Sequence, residues 1–155
     1  MDATITIIAS LTALAAVVFA PLVSIQVAKM QISAQVVATN RQVWINRLRE
    51  ELAYFIREVR HIPSTHSAQA INTHQAIARH EDLVLKEEII RLMLNPQEED
   101  HKELIQLLAS AREKTRQAIN ASNGMAAQQD QVAEQIVAIA QRILKAEWIR
   151  VKTGA

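Results

Sequence analysis

The sequence predicts an all-α protein in which an N-terminal transmembrane helix continues, through a coiled-coil-like stalk, into a cytoplasmic antiparallel helical bundle. Three observations predict it. The stretch from Ala3 to Ala28 carries no charge and exceeds the ~20 residues a spanning helix needs. Half of the 155 residues are hydrophobic, only 3% are aromatic and only two are glycine, a mixture that favours helix and supplies little material for turns. Beyond the first segment, apolar residues recur at three/four spacing and no stretch alternates as a strand does.

Within residues 1–28 the apolar core runs from Ile5 to Val23. A cleaved signal peptide is the competing reading, and three features oppose it. The leading residues hold Asp2 and no Lys or Arg. The apolar run exceeds the usual h-region, and the best small-residue pattern, Val18-Phe19-Ala20, precedes Pro21. Lys29, Arg41, Arg47 and Arg49 all follow the run, so the positive-inside rule predicts an outward N-terminus and a cytoplasmic C-terminal domain at the bacterial inner membrane. Ala9, Ala13, Ala16 and Ala20 form a face of small side chains suited to close helix approach, a candidate oligomer interface. Pro21 removes a donor and predicts a kink.

A stalk is expected over 29–43 and a bundle over 44–152. From Val27 onward no helix breaker occurs before Pro63, and Val27, Met30, Ala34, Val37, Arg41, Trp44, Leu48, Leu52, Phe55, Val59 and Ile62 share one stripe. At ~1.5 Å per residue Trp44 would stand about 24 Å beyond Ala28, too far for a headgroup anchor, so Trp44, Leu48, Leu52 and Phe55 are read as core. A turn is expected over Ile62–Ser67. The second helix is expected to bury Ile71, Ala78, Leu85, Ile89 and Leu92. Asn95-Pro96-Gln97-Glu98-Glu99-Asp100 offers an N-cap, a proline at the first helical position and acids where the helix dipole favours them. The third helix would bury Leu104, Leu107 or Leu108, Ala111, Thr115 and Ile119, ending near Asn123-Gly124. The fourth would bury Val132, Ile136, Ile139, Ile143 and Leu144, with Trp148 and Val151 near its end.

The stretch Arg41-Gln42-Val43-Trp44-Ile45-Asn46-Arg47-Leu48-Arg49 resembles the juxtamembrane Arg-x-x-Trp-Ile-x-x-Leu-Arg signature of small, uncharacterised bacterial single-pass membrane proteins. The resemblance covers about the first third of the chain. It implies the anchor-plus-helical-domain architecture and no activity.

Net charge is +1, so no global field favours nucleic acid. Bases outnumber acids from Lys29 to His61 and acids outnumber bases from Ile62 to Leu104, which predicts opposite charges facing each other if the two segments pack antiparallel. There is no cysteine for a disulfide, thiolate site or nucleophile. Gly124 and Gly154 are too few for a phosphate-binding loop. Glu98-x-x-His101 has a di-iron spacing but occurs once, whereas such sites use the motif twice. His74, His80 and Glu81 lack two-ligand spacing on one helix face. No metal, cofactor or catalytic residue is therefore expected. Arg57, Arg60, His61 and His66 cluster near the end of the first long helix as a candidate anion site, although cations there also complement the helix dipole. The expected function is a homo-oligomeric, membrane-anchored scaffold or interaction protein, with the lipid bilayer and a cytosolic protein as partners. The alternative is a toxin- or phage-defence-type effector that senses a cytosolic signal and perturbs the bilayer.

Overall fold

The computed structural model describes the backbone of residues 2–121 and 126–153 and the side chains of residues 17, 21, 23–121 and 129–153. The described residues form four helices and no strand: α1 (Asp2–Ser67), α2 (Thr73–Met93), α3 (Glu99–Ala121) and α4 (Ala126–Thr153). They divide into two units, Met1–Asn40 and Arg41–Thr153. Among the described residues no helix is long and apolar enough to cross a membrane. The side chains of Ala9, Ala13, Ala16 and Ala20, and most of the uncharged run, lie outside the described residues, as do Asn123 and Gly124.

The first unit is helical throughout, including at Pro21. Its large described apolar side chains, among them Ile25, Met30, Ile32 and Val36, are exposed.

The second unit is built around one core. Leu48, Leu52, Phe55 and Val59 of α1 pack with Leu83 and Ile90 of α2, Leu104, Leu108 and Ala111 of α3, and Val132, Ile136, Ile139 and Ile143 of α4. A smaller cluster of Ile62, Ala76 and Ile119 closes the other end. Side-chain pairs give the directions. Trp44 Nε1 donates to the Met93 carbonyl at 3.0 Å, Lys86 pairs with Glu51 at 2.6 Å and Arg79 with Glu58 at 3.2 Å. Along α1 these positions advance by one heptad each while along α2 they retreat by one heptad, the signature of an antiparallel pair. Arg41–Glu147 at one end and Arg60–Asp130 at the other run α4 against α1. Arg142–Asp100 and Arg150–Glu98 do the same for α4 against α3. The unit is an up-down-up-down bundle.

Several expectations are corrected. The first turn lies later than Ile62–Ser67, because α1 passes through Pro63 to Ser67. Pro63 denies the Val59 carbonyl its donor, but only four helical residues follow. The hydroxyls of Ser64 and Thr65 bond the Arg60 and His61 carbonyls at 3.1 and 2.6 Å. Gln69 then closes the helix in the left-handed region at φ 55°, with its N–H on the His66 carbonyl and that of Ala70 on the Thr65 carbonyl. This is the glycine-type end motif built without glycine. Helix α2 is capped by Asn72, whose side chain accepts from the Gln75 N–H at 2.9 Å while Gln75 accepts from the Asn72 N–H at 3.0 Å.

The buried line of α2 is Ala76, Leu83, Glu87 and Ile90. Ala78, Leu85 and Leu92 are exposed and Ile71 and Ile89 only partly covered, so the expected face points the wrong way. The displacement has a cause: Glu87 occupies a core position, paired with Arg112, and a carboxylate breaks the apolar period that a sequence reading follows. Pro96 is not the first residue of α3. It sits inside a turn closed by the Glu98 N–H on the Asn95 carbonyl at 3.2 Å, the position where proline's fixed φ suits a turn. The expected pairing of a basic first segment with an acidic second is reversed at the contact: the acids Glu51 and Glu58 come from α1, and the bases Lys86 and Arg79 from α2.

Candidate functional site

Of the predicted cationic cluster, the bundle gathers three members. Arg57, Arg60 and His61 line a shallow groove of about 550 Å³ on the outside of α1, with Ala53, Ile56 and Ser64. Helical spacing places them there, since 53, 57, 60/61 and 64 follow one stripe away from the core line. His66 is not part of it; it sits in the last turn of α1, 3.3 Å from the Thr73 hydroxyl. The charges in the groove are already matched. Arg57 forks onto Glu58 at 2.9 and 3.0 Å and lies over the Tyr54 ring at 4.7 Å. Arg60 pairs with Asp130 at 3.4 Å and also with Glu134. An anion would have to displace these carboxylates, so the groove is a weaker anion receptor than its arginine count implies.

Trp44 is half-buried against the core, while Leu48, Leu52 and Phe55 are fully inside it. The Trp44 ring stacks on the buried His101 at 6.5 Å between centroids. His101 Nδ1 accepts from the Asn95 N–H at 2.8 Å, which fixes that nitrogen as the unprotonated one. Its Nε2 stands 3.8 Å from Glu98. Trp44 and His101 thus fasten the α2–α3 connection from two sides. The Glu98-x-x-His101 spacing builds a loop latch, and among the described residues no group of three His, Asp or Glu side chains could hold a metal. Burial pushes the Glu98 carboxyl upward, but hydrogen bonds from Arg150 and nearby positive charge outweigh it and hold the group below the ordinary glutamate value.

What a sequence reading misses is a set of nearly buried carboxylates. Glu51, Glu58, Glu87 and Glu147 are each no more than 7% exposed, and each meets at least one cation: Arg47 and Lys86, Arg57 and Arg79, Arg112, and Arg41 and Arg150 respectively. The signal was present in part, since Arg47–Glu51 has i,i+4 spacing. Nothing in sequence separates such a pair from a solvated one. Burial raises the Glu87 carboxyl above its usual value against the pull of Arg112. Burial also lowers His80, whose Nε2 is 3.3 Å from the Arg112 carbonyl and whose neighbours include the Arg112 and Arg116 guanidinium groups. Gln129 is 1% exposed, and neither its amide nitrogen nor its amide oxygen has a partner among the described residues. These paired charges select one register between helices, because a one-residue slip would strand a charge in the core.

No family model matches this chain, and no curated protein and no solved structure resembles it.

Proposed function

We propose that the protein is a homo-oligomeric, non-catalytic interaction module anchored in the bacterial inner membrane by residues 1–28, with the 44–152 bundle in the cytoplasm. One observation supports this reading above the others: a single uninterrupted helix, α1, contains both the uncharged Ala3–Ala28 run and the first core stripe of the bundle. On this reading the helix that holds the chain in the bilayer also supplies the first core stripe of the bundle, with no Gly- or Ser-rich linker sequence between the two. The anchor itself rests on the sequence: length, lack of charge, and basic residues on the following side only. The cytosolic partner belongs to the same proposal.

The test is induction of the full chain in bacterial cells with three readouts taken together: fractionation, crosslinking in isolated membranes, and membrane potential. The proposal expects the chain in the membrane fraction, crosslinked species above the monomer, and an unchanged potential. Collapse of the potential on induction would replace it with the bilayer-perturbing effector. Recovery of the chain in the soluble fraction would refute the anchor.

A further inference from the structure

Helix α1 carries two apolar lines before the bundle begins, and they lead to different places. In seven-residue steps, Ala34 leads through Arg41 to Leu48 and Phe55, and Val37 leads to Trp44 and Glu51; apart from Arg41, each of these destinations is buried in the bundle or packed against its core. The same steps lead from Ile32 through Thr39 to Asn46 and Ala53, and from Val36 to Val43, Glu50 and Arg57, every one of them exposed. On this second line Ile25, Ile32, Val36 and Val43 are 52%, 61%, 52% and 63% exposed. Lys29 and Thr39 complete an unbroken three/four spacing between them. Ile32, Gln35, Val36, Thr39 and Asn40 line a shallow groove of about 280 Å³ along it.

We propose that the second line, from Ile25 to Val43, is the seam of a parallel coiled coil with a second copy of this chain. The inference rests on the anchor and homo-oligomer readings above and names the surface that makes the oligomer. Three observations choose the occupant. A line repeating every 3.5 residues fits another helix, whose side chains offer holes at the same period. The line holds one charge, Lys29, and the chain has none from Met30 to Asn40. A charged partner therefore finds nothing to pair with, while an identical partner brings no row of like charges. Copies held in one bilayer by the same residues stand level, so Ile32 meets Ile32 and Val36 meets Val36 with no shift along the helix. The bundle decides which of the two lines is used. A helix following the first line past Val37 meets positions that α2, α3 and α4 already cover, whereas one following the second line meets exposed positions only. The seam ends where Glu50 and then Arg57 take the line's positions, because each would face its own like across the two-fold axis.

The chain has no cysteine, so introduced thiols report directly. Single cysteines placed one at a time from Lys29 to Val43 in the full chain are oxidised in isolated membranes with copper–phenanthroline. The disulfide-linked dimer should peak at Ile32, Val36 and Val43 and fall at least fivefold at Ala34 and Val37. Ile32→Asp combined with Val36→Asp should reduce the native oligomer in detergent at least tenfold with helicity unchanged, and Ile32→Leu combined with Val36→Leu should keep it. A peak at Ala34 and Val37 would overturn the proposal in favour of the first line. A crosslinked product of any mass other than twice the chain's would overturn it in favour of a different protein on the seam. Even yields along the scan, with amine crosslinking still giving oligomers, would overturn the seam and leave the homo-oligomer reading standing. A chain in the membrane fraction that stays monomeric by both chemistries would overturn the seam and the homo-oligomer and leave the anchor.

Discussion

Trp44 joins the signature stretch of α1 to the α2–α3 connection, and removing it probes whether the bundle is assembled as described. The ring is half-buried against the core, stacks on His101 and donates its N–H to the Met93 carbonyl. Truncating a large core aromatic to alanine costs about 3–5 kcal/mol. Partial exposure reduces the apolar share, but the Met93 carbonyl is also left without its donor, a loss of about 1 kcal/mol. We therefore expect Trp44→Ala to cost about 3–4 kcal/mol, a large fraction of a small domain's stability. Trp44→Phe keeps a ring against His101 and loses the hydrogen bond, so it should cost about 1–2 kcal/mol. Trp148 is 46% exposed near the end of α4, and Trp148→Ala should cost below about 1 kcal/mol. The core closes within Arg41–Thr153, so a fragment beginning at Thr39 should unfold cooperatively in urea, followed by circular dichroism. Equal small costs at Trp44 and Trp148 would refute the reasoning, because Trp44 could then neither fasten the connection nor fill the core.

Other substitutions probe single features by the same urea titration. Gln129→Leu removes a buried amide that has no partner among the described residues and should stabilise the fragment by about 1–2 kcal/mol; destabilisation would mean the amide is satisfied. Gln69→Gly relieves a left-handed backbone at φ 55° and should stabilise by about 0.5–1 kcal/mol, with no gain if α1 ends elsewhere. His80 is held below its ordinary value in the fold, so the unfolded chain takes up its proton first. Its contribution is whole above pH 6.5 and is lost as pH falls through the lower folded value. The wild-type fragment should therefore lose more melting temperature than His80→Gln between pH 7.5 and pH 5.5, and identical losses would contradict the burial of His80. Glu87 has the opposite sign: its contribution is whole below pH 4.5 and is lost as pH rises through its raised folded value, which is why the variant comparison is needed.

The core lines of α1, α3 and α4 were legible because they are nearly uninterrupted. Leu48, Leu52, Phe55, Val59 and Ile62 follow helical spacing with little competition, as do Leu104, Leu108, Ala111 and Thr115. Helix α2 was not, because it has two lines and the more apolar one, through Leu85 and Leu92, faces outward while Glu87 occupies the inner one. Pro63 misled for a local reason: it removes a single helical bond, the one to the Val59 carbonyl, and α1 runs only four residues further before it ends at Ser67. The cationic cluster was half legible. Spacing along α1 brings Arg57, Arg60 and His61 together, but the partners Asp130 and Glu134 come from α4, and a distant carboxylate leaves no trace in the local pattern.

The proposed anchor is the account's central claim, and partition of the chain between membrane and soluble fractions tests it most directly. Full-length protein should remain in membranes washed with carbonate. Leu14→Arg combined with Val18→Arg places two charges in the uncharged run, each costing about 2.5–3.5 kcal/mol at the centre of a spanning helix. That variant should move to the soluble fraction with the helicity of its bundle unchanged. Full-length protein released by carbonate, or a double-arginine variant that stays with the membrane like the parent, would contradict the account.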